Sequence, residues 1–368
     1  VLDDLRTRLT RARFTNPSGG QPWQGGVDPD YLRDLVSYWA DGFDWRRREA
    51  QLNALPHYRA MIDGRYVHFL HVPCRRPAGA EARLPVILNH GWPSCFVEML
   101  PLVDRLIDPG RYGSDPADAF DVVVPSMPGF LYSDLTAGPA TRAAFATTLH
   151  ALMTDVLGYQ RYGAFGGDIG GATVAWMAAL HPEHVAGIHM IHPPVPGSFD
   201  AAPLSPEEQA FIEAEERYDE TDGGYSAIMG TRPDTIAAAL VDSPAGLAAW
   251  IIDKFRDWSD CDGDVESRFD RDTLLTIATL YWVTGTIGTS FRQYLDYAHN
   301  APRPDITVPA AFTVSTEPPL VDFPQSIAER ACRDIWHWST PGRGGHFMPL
   351  EEPALLAGEM RQFFRGLH

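Results

Sequence analysis

The stretch of sequence that decides the fold is residues 162–171, YGAFGGDIGG, where a short apolar run passes into glycines around one aspartate. Gly166 and Gly170 flank Asp168 two positions to either side, and a helix-like pattern follows. A tight turn from strand to helix tolerates only small neighbours and pushes one side chain out over the sheet. The stretch therefore predicts a nucleophile turn with Asp168 at its tip. The alternative is a glycine-rich turn whose aspartate caps the helix.

An aspartate at the tip of such a turn indicates a particular chemistry. A carboxylate needs no deprotonation before it attacks a saturated carbon, and the ester that it forms can be hydrolysed afterwards. The sequence therefore favours epoxides or alkyl halides as substrates over peptides or carboxylic esters.

Short apolar runs alternate with helical patterns on both sides of this turn. Such alternation is typical of a parallel sheet covered by helices, as in an α/β fold. It stops near residue 193, gives way to an almost wholly helical stretch over 203–301, and then resumes. We therefore expect an α/β core with an inserted helical cap. The predicted strands are 84–89, 120–125, 162–165, 185–191, 308–315 and 334–338, and the predicted core helices are 141–157, 171–181 and 353–364.

The N-terminal part of the chain is expected to precede the core and to wrap around it. It carries helical patterns over 31–42 and 44–55, followed by two β-like runs around Asp63-Gly64 that predict a hairpin. Residues 74–83 are rich in Pro, Ala, Arg and Glu and predict a loop. We divide the chain into an N-terminal segment (1–75), a first part of the core (76–195), the cap (196–303) and a second part of the core (304–368).

Charge and composition argue against several classes of protein. The 368 residues include 48 acidic and 30 basic side chains, and nucleic acid or an anionic membrane would repel the resulting net charge of −18. Four cysteines, Cys74, Cys95, Cys261 and Cys332, lie far apart and have no metal-binding spacing. We expect reduced thiols in a cytoplasmic protein. No run of about 18 apolar residues predicts a membrane span.

A second motif, His90-Gly91-Trp92-Pro93, follows the first core strand. A turn at the carboxyl end of a strand can aim a backbone N–H at the reaction centre, and the usual companion donor is the amide after the nucleophile. The amides of Trp92 and Ile169 are therefore predicted to form an oxyanion hole. An ordinary His-Gly turn is the alternative.

Together these residues resemble epoxide hydrolases of the microsomal type, in which a His-Gly-x-Pro motif and a Gly-Gly-Asp-x-Gly-Gly-like turn occur together. The resemblance covers nearly the whole chain. It implies the α/β-hydrolase fold, the hydrolysis of an epoxide to a vicinal diol through a covalent aspartyl ester, and no cofactor or metal. Further matches are YW at 38–39, FDWR at 43–46, IDG at 62–64, RPDT at 232–235, DSPAGLAAW at 242–250, YWVTGTI at 281–287 and RGGHF at 343–347.

The resemblance also implies roles for side chains outside the two motifs. Tyr225 and Tyr294, at the positions of the family's ring-activating tyrosines, would hydrogen-bond the epoxide oxygen and protonate the alkoxide. Together with Trp92 and Pro93, they are expected to contact the substrate. His346, in the segment of the family's catalytic histidine, would activate the water that attacks the ester.

The acid that orients His346 is where the chain departs from the family pattern. The family places a glutamate in a Phe-Pro-x-Glu stretch, but residues 323–326 read FPQS. Glu317 and Asp322 remain in the loop after the predicted strand 308–315. Glu317 is preferred, because it stands almost at the end of the strand, where this fold usually carries its orienting acid. Asp322 is the alternative.

Two other functions stay open at this point. Haloalkane dehalogenases use the same aspartyl-ester chemistry, but they generally place a halide-holding Trp directly after the nucleophile, where this chain has Ile169. The second is a catalytically silent ligand-binding protein of the same fold, which the missing Phe-Pro-x-Glu acid suggests.

The substrate is expected to be a hydrophobic small-molecule epoxide, and self-association into a homodimer is left open. The stretch FLYSD at 130–134 and the altered acid loop resemble bacterial enzymes of natural-product pathways, including the epoxide hydrolases of enediyne biosynthesis. Glu351 and Glu352 are expected to face solvent or to begin a helix.

Overall fold

An eight-stranded sheet forms the centre of the protein, a computed structural model of which describes residues 1–16, 19–75, 84–199 and 202–367. The strands are β1 (His57–Ile62), β2 (Arg65–Val72), β3 (Val86–Asn89), β4 (Val122–Pro125), β5 (Tyr162–Gly166), β6 (Val185–Met190), β7 (Ala310–Thr313) and β8 (Ile335–Ser339). Their order across the sheet is β1-β2-β4-β3-β5-β6-β7-β8. β1 and β2 pair antiparallel with their neighbours, whereas β3 to β8 run parallel.

The central strands are short and apolar, and every residue of β3 to β7 is buried. Continuous burial of this kind is typical of a parallel sheet with both faces covered.

The helices are α1 (Leu2–Thr10), α2 (Pro29–Asp41), α3 (Trp45–Asn53), α4 (Leu100–Ile107), α5 (Arg142–Ala151), α6 (Asp168–Leu180), α7 (Pro206–Asp222), α8 (Gly224–Thr231), α9 (Pro233–Leu240), α10 (Pro244–Asp257), α11 (Arg271–Thr284), α12 (Ile287–Ser290), α13 (Arg292–Leu295), α14 (Gln325–Ala331), α15 (Met348–Glu351) and α16 (Pro353–Arg365).

A helical cap, α7 to α13, is inserted between β6 and β7. The N-terminal helix α2 packs against this cap and forms hydrogen bonds with it. In α2, the indole Nε1 of Trp39 donates to Thr279 Oγ1 at 3.0 Å, and the hydroxyl of Tyr38 donates to Asp272 Oδ1 at 2.8 Å. Both acceptors belong to α11, so the N-terminal segment contacts the cap as well as the core.

Several details differ from the sequence predictions. The predicted hairpin forms, but it joins the main sheet through β2 and β4, so the later part of residues 1–75 belongs to the core. The predicted helix 141–157 divides into α5 and a π-helical turn over Leu152–Val156. The helix predicted after Gly171 begins at Asp168 itself, and α4 and α14 were not predicted. Of the predicted loop 74–83, residues 76–83 lie outside the described residues.

No disulfide joins the cysteines in the part of the chain that the structure describes. Among the described helices, none is by itself both long and apolar enough to cross a membrane. Two sharply bent helix pairs, α9 with α10 and α11 with α12–α13, reach the required length and composition only when each pair is taken together.

Candidate active site

The turn between β5 and α6 presents Asp168 at the carboxyl edge of the sheet. Asp168 is the first residue of α6 and has a left-handed φ of +51°, which a residue other than glycine adopts only when its surroundings enforce it. The chain leaves no room for a larger neighbour, because a Cβ on Gly170 would lie 2.2 Å from the carbonyl oxygen of Asn89. This is the geometry of the predicted nucleophile turn.

The turn after β3 approaches Asp168 from the side. The backbone N–H of Trp92 donates to Asp168 Oδ1 at 2.8 Å. The amide of Ile169 lies in the first turn of α6, where N–H groups have no partner within the helix. The two amides predicted to form the oxyanion hole therefore lie next to the same carboxylate.

His90 fixes the position of this turn. Its Nε2 accepts a hydrogen bond from the backbone N–H of Met127 at 3.1 Å, which ties the end of β3 to the loop after β4. Burial lowers the pKa of His90 to about 4, so the ring is neutral and can act as an acceptor at neutral pH. His90 therefore has a positioning role.

A buried histidine–glutamate pair lies beside the nucleophile turn. Nδ1 of His346 is hydrogen-bonded to Oε2 of Glu317, and both side chains are buried. Burial alone would lower the pKa of His346, but the negative charge of Glu317 and, to a smaller extent, that of Asp168 raise it to about 9. Of the two candidate acids, Glu317 thus contacts the histidine, whereas Asp322 is exposed on the protein surface.

A second histidine, which the sequence analysis did not single out, lies between these groups. His192 follows β6, and its Nδ1 accepts a hydrogen bond from the backbone N–H of Asp168. Its Nε2 lies 3.0 Å from Oε1 of Glu317. Burial lowers the pKa of His192, so the ring is neutral and holds the nucleophile turn against the acid. Its place at the carboxyl end of a core strand was an available signal.

The loop that carries His346 is held by Glu351. The Glu351 carboxylate accepts backbone hydrogen bonds from Gly345 at 2.9 Å, Phe347 at 3.0 Å and Asp260 at 2.9 Å. The expectation that Glu351 faces solvent or begins a helix is wrong: it ends α15 and fixes the residues on both sides of His346. Glu352, for which the same was expected, directly precedes α16 at the N-cap position, without a side-chain capping hydrogen bond.

Glu98 is a further buried acid near the site that was not predicted. It lies in the turn after the His-Gly-Trp-Pro motif and is almost inaccessible to solvent. Burial raises its pKa to about 8, although the nearby His346 opposes this shift. Glu98 is therefore mostly protonated at neutral pH, and it adds little charge to the site.

The two cap tyrosines form an aromatic cluster over the nucleophile turn. The ring of Tyr225, in α8, stacks on that of Trp92 with centroids 5.4 Å apart, and the ring of Tyr294, in α13, contacts Trp92 edge-on at 5.9 Å. Burial, and after it the charge of Asp168, raises the pKa of both tyrosines. Both phenols therefore stay protonated at neutral pH and lie within the electrostatic reach of Asp168.

A cavity of about 760 Å³ opens onto these groups. Asp168 and His346 line it, as do residues 297–298 and 300–303 from the segment between the cap and β7. The four residues predicted to contact substrate, Trp92, Pro93, Tyr225 and Tyr294, do not line this cavity. Trp92 and Pro93 are buried. A second cavity, of about 1190 Å³, lies beside the β1–β2 hairpin and contains none of the candidate catalytic residues.

The same groups include the set of side chains best suited to hold a metal ion in the described structure. Donor atoms of His192, Glu317 and His346 all lie within 4.8 Å of one another. However, Nδ1 of His346 is hydrogen-bonded to Glu317, and Nδ1 of His192 is hydrogen-bonded to the backbone of Asp168. The arrangement therefore suits a hydrogen-bonded catalytic group, and the absence of a metal stays a prediction.

The fold and this turn define an α/β-hydrolase whose nucleophile position is occupied by an aspartate. Residues 1–99 match the family described as epoxide hydrolase N terminus, and residues 85–225 match the alpha/beta hydrolase fold. The chain belongs to the epoxide hydrolase family, and its reaction is the hydrolysis of an epoxide to a diol. The predicted family and fold are confirmed.

Relatives along the whole chain show this family. A protein of Stigmatella aurantiaca is 39% identical over 369 residues, covering 100% of this chain and 83% of that protein. Epoxide hydrolase 1 of Sus scrofa is 32% identical, with 98% of this chain and 86% of that protein covered. The crystal structure of the juvenile hormone epoxide hydrolase from the silkworm Bombyx mori superposes with a TM-score of 0.87 at 26% identity, covering 99% of this chain and 92% of that one.

Proposed function

We propose that the chain hydrolyses its epoxide in two steps, with Asp168 as the nucleophile. The observation that carries this proposal is the position of the Asp168 carboxylate, on a strained turn and 2.8 Å from the amide of Trp92. The strain and the amide hold the carboxylate at the edge of the cavity, where a bound ring carbon can meet it. Tyr225 and Tyr294 do not line this cavity, but both lie within electrostatic reach of the same carboxylate.

In the first step, Asp168 attacks a carbon of the epoxide while the ring C–O bond breaks. The departing oxygen takes a proton from Tyr225 or Tyr294 and becomes a hydroxyl, and the carbon is left as an ester of Asp168. The raised pKa values of both tyrosines support this assignment, because a general acid must be protonated before the ring opens.

In the second step, water hydrolyses the ester. His346 takes a proton from the water as its oxygen adds to the carbonyl carbon of Asp168, and the N–H groups of Trp92 and Ile169 stabilise the resulting oxyanion. Breakdown of this intermediate releases the diol and restores the carboxylate. Glu317, as a positioning residue, holds the imidazole and stabilises its protonated form.

Formation of the ester prepares His346 for the second step. In the resting site, the charge of Asp168 helps to raise the pKa of His346 to about 9, so the imidazole is mostly protonated. The ester carries no charge, so alkylation removes this contribution and lowers the pKa. Formation of the ester therefore shifts His346 towards the neutral form that can accept a proton, although the larger effect of Glu317 remains.

Two alternative functions have less support. Ile169 stands where a dehalogenase would hold the halide, and two phenols beside Asp168 have no role in the departure of a halide. A catalytically silent protein was suggested by the missing Phe-Pro-x-Glu acid, but Glu317 supplies a carboxylate to His346 from the preceding loop.

The remaining expectations concern the setting of the reaction. A largely hydrophobic epoxide suits the apolar side chains of the cavity, among them Ile169, Trp176 and Met190. A place in natural-product biosynthesis, including the enediyne branch, stays a prediction, as do the cytoplasmic location and the homodimer.

The covalent step can be tested by trapping the ester. Incubation of the variant H346Q with styrene oxide should give a protein whose intact mass is increased by one substrate and whose label maps to the Asp168 peptide. The matched variant D168N should show no increase. An unmodified H346Q protein, together with full diol formation by D168N, would contradict the proposal.

A further inference from the structure

Arg142 brings a positive charge into the cavity that contains Asp168. It is the first residue of α5, and the hydroxyl of Thr141 caps the helix by accepting from the amide of Ala144 at 3.1 Å. The backbone N–H of Arg142 donates to Oδ1 of Asn300 at 2.8 Å, across the cavity wall. Both residues of this contact line the cavity, and the hydrogen bond fixes the backbone of Arg142 there.

The guanidinium of Arg142 is left without an acceptor. Within the described residues it forms no ion pair and no side-chain hydrogen bond, and its Nη1 is inaccessible and unsatisfied. This is unusual in a chain with 48 acidic side chains against 30 basic ones. Two other cations with little exposure are paired with acids, Lys254 with Asp222 at 2.5 Å and Arg330 with Glu208 at 2.8 Å. A guanidinium nitrogen that is buried without an acceptor is destabilising, so this site has the capacity to bind an acceptor that a ligand supplies.

Asp168 is close to Arg142 but does not serve as this partner. Its Oδ1 accepts from Trp92, and no hydrogen bond joins it to the guanidinium among the described residues. The charge of Asp168 and the phenols of Tyr294 and Tyr297 nevertheless lie within electrostatic reach of Arg142. The ring of Tyr297 is centred 5.8 Å from the guanidinium carbon. Arg142 is therefore near the reacting carboxylate, and its guanidinium has no acceptor among the described residues.

We propose that Arg142 forms an anion-binding subsite of the active-site cavity, and that the epoxide processed here carries a carboxylate group which this guanidinium binds. The planar fork of arginine matches a carboxylate with two parallel hydrogen bonds. Burial lowers the pKa of Arg142, but a guanidinium starts so far above neutral pH that it stays charged in proteins. The substrate class is then an apolar epoxide with one anionic end.

The net negative charge of the protein disfavours the approach of an anionic substrate. A net charge of −18 repels anions at long range. A preference for a carboxylate must therefore arise locally, at a cation inside the cavity. Arg303, which lines the same cavity, differs because its Nη1 and Nη2 donate to the carbonyl oxygens of Pro304 and Val195, each at 2.9 Å.

The experiment compares matched substrates. The subsite rests on the proposed function. The experiment measures kcat/KM for the para-carboxylate of styrene oxide and for its methyl ester. The wild-type protein should favour the carboxylate, and R142Q should lower the ratio of the two values by about tenfold or more, the loss expected for a charged hydrogen bond. R142K should lose less, because it keeps the charge but not the fork. The variant R303Q removes an equal charge from the same wall and should change the ratio by less than about twofold.

Three results would overturn the subsite: a wild-type preference for the ester, a ratio unchanged in R142Q, or an equal fall in R303Q. Calorimetric binding of para-ethylbenzoate needs no turnover and should weaken about tenfold in R142Q. If the wild type binds this anion through Arg142 but hydrolyses neither epoxide, the proposed function fails while the subsite stands. If the wild type and R142Q bind the anion equally well, the subsite fails. Thermal midpoints of all variants show whether each is folded.

Discussion

Replacement of Glu317 by glutamine is expected to separate the two halves of the reaction. Glutamine keeps the shape of the side chain and an oxygen that can accept from His346 Nδ1, but it removes the charge. Neighbouring charges, of which Glu317 is the strongest, raise the pKa of His346 from 6.5 to about 9 in spite of its burial. At about 1.36 kcal/mol per pKa unit, this shift in the pKa of His346 corresponds to about 3 kcal/mol of stabilisation of the protonated imidazole.

His346 takes a proton from water only in the hydrolytic step, and Glu317 stabilises the imidazolium formed there. The variant E317Q should therefore hydrolyse the ester on the order of a hundredfold more slowly, while the attack of Asp168 on the epoxide changes little. The ester should accumulate in the first turnover. Rapid-quench measurements with styrene oxide, read by intact mass, give the rate constants of both steps.

Asp322 provides the matched control, because it is an exposed acid in the same loop. The variant D322N should hydrolyse the ester at close to the wild-type rate. Wild-type hydrolysis in E317Q, or a large loss in D322N, would refute the assignment of Glu317. Equal slowing of both chemical steps in E317Q would show that the variant has disturbed the site as a whole.

Three further predictions follow from the same contacts. Y225F and Y294F should each slow ring opening by about tenfold or more while leaving ester hydrolysis within about threefold, because each removes one of two acids that act only in the first step; rapid-quench rates that fall equally in both steps would count against this. The rate of ester decay should rise with pH and level off, because His346 must be neutral to accept a proton, with a midpoint below the value of about 9 found in the resting site; a decay rate that falls as pH rises would be inconsistent with His346 as the base. H192L should lower the free energy of unfolding by about 1–3 kcal/mol, since it leaves the buried N–H of Asp168 without an acceptor, whereas H192Q should lose less; urea denaturation would show the opposite order if His192 only fills space.

Local sequence rules predicted the elements that depend on neighbours along the chain. The nucleophile turn could be predicted because only small residues fit beside Asp168, and this restriction is visible as glycines at fixed spacing. The hairpin and the central strands were predicted for the same reason, since turn residues and continuous apolar runs are local signals. Only the boundaries shifted, by a few residues.

The contacts that complete the site depend on residues far apart in sequence. His192, Glu317 and His346 come from loops after three different strands, and no spacing indicates that one carboxylate meets both rings. Glu351 seemed to be an ordinary surface acid until the fold placed three backbone N–H groups around it. The unpaired state of Arg142 is likewise a property of its surroundings, which a single sequence does not encode in any short pattern.

The membership of the β1–β2 hairpin in the main sheet has the same origin. Its sequence predicts two paired strands but does not say which edge they extend. Pairing of β2 with β4 is a long-range contact, and it makes the N-terminal segment part of the core as well as a support for the cap.

The central claim, that Asp168 forms a covalent ester hydrolysed by attack at its carbonyl carbon, is tested most directly by one turnover in heavy-oxygen water. With enzyme in excess over epoxide, the account predicts that the label enters the carboxylate of Asp168 and that the first diol carries none. Label found in the first diol, with an unlabelled Asp168 peptide, would show that water attacks the epoxide directly and would contradict the account.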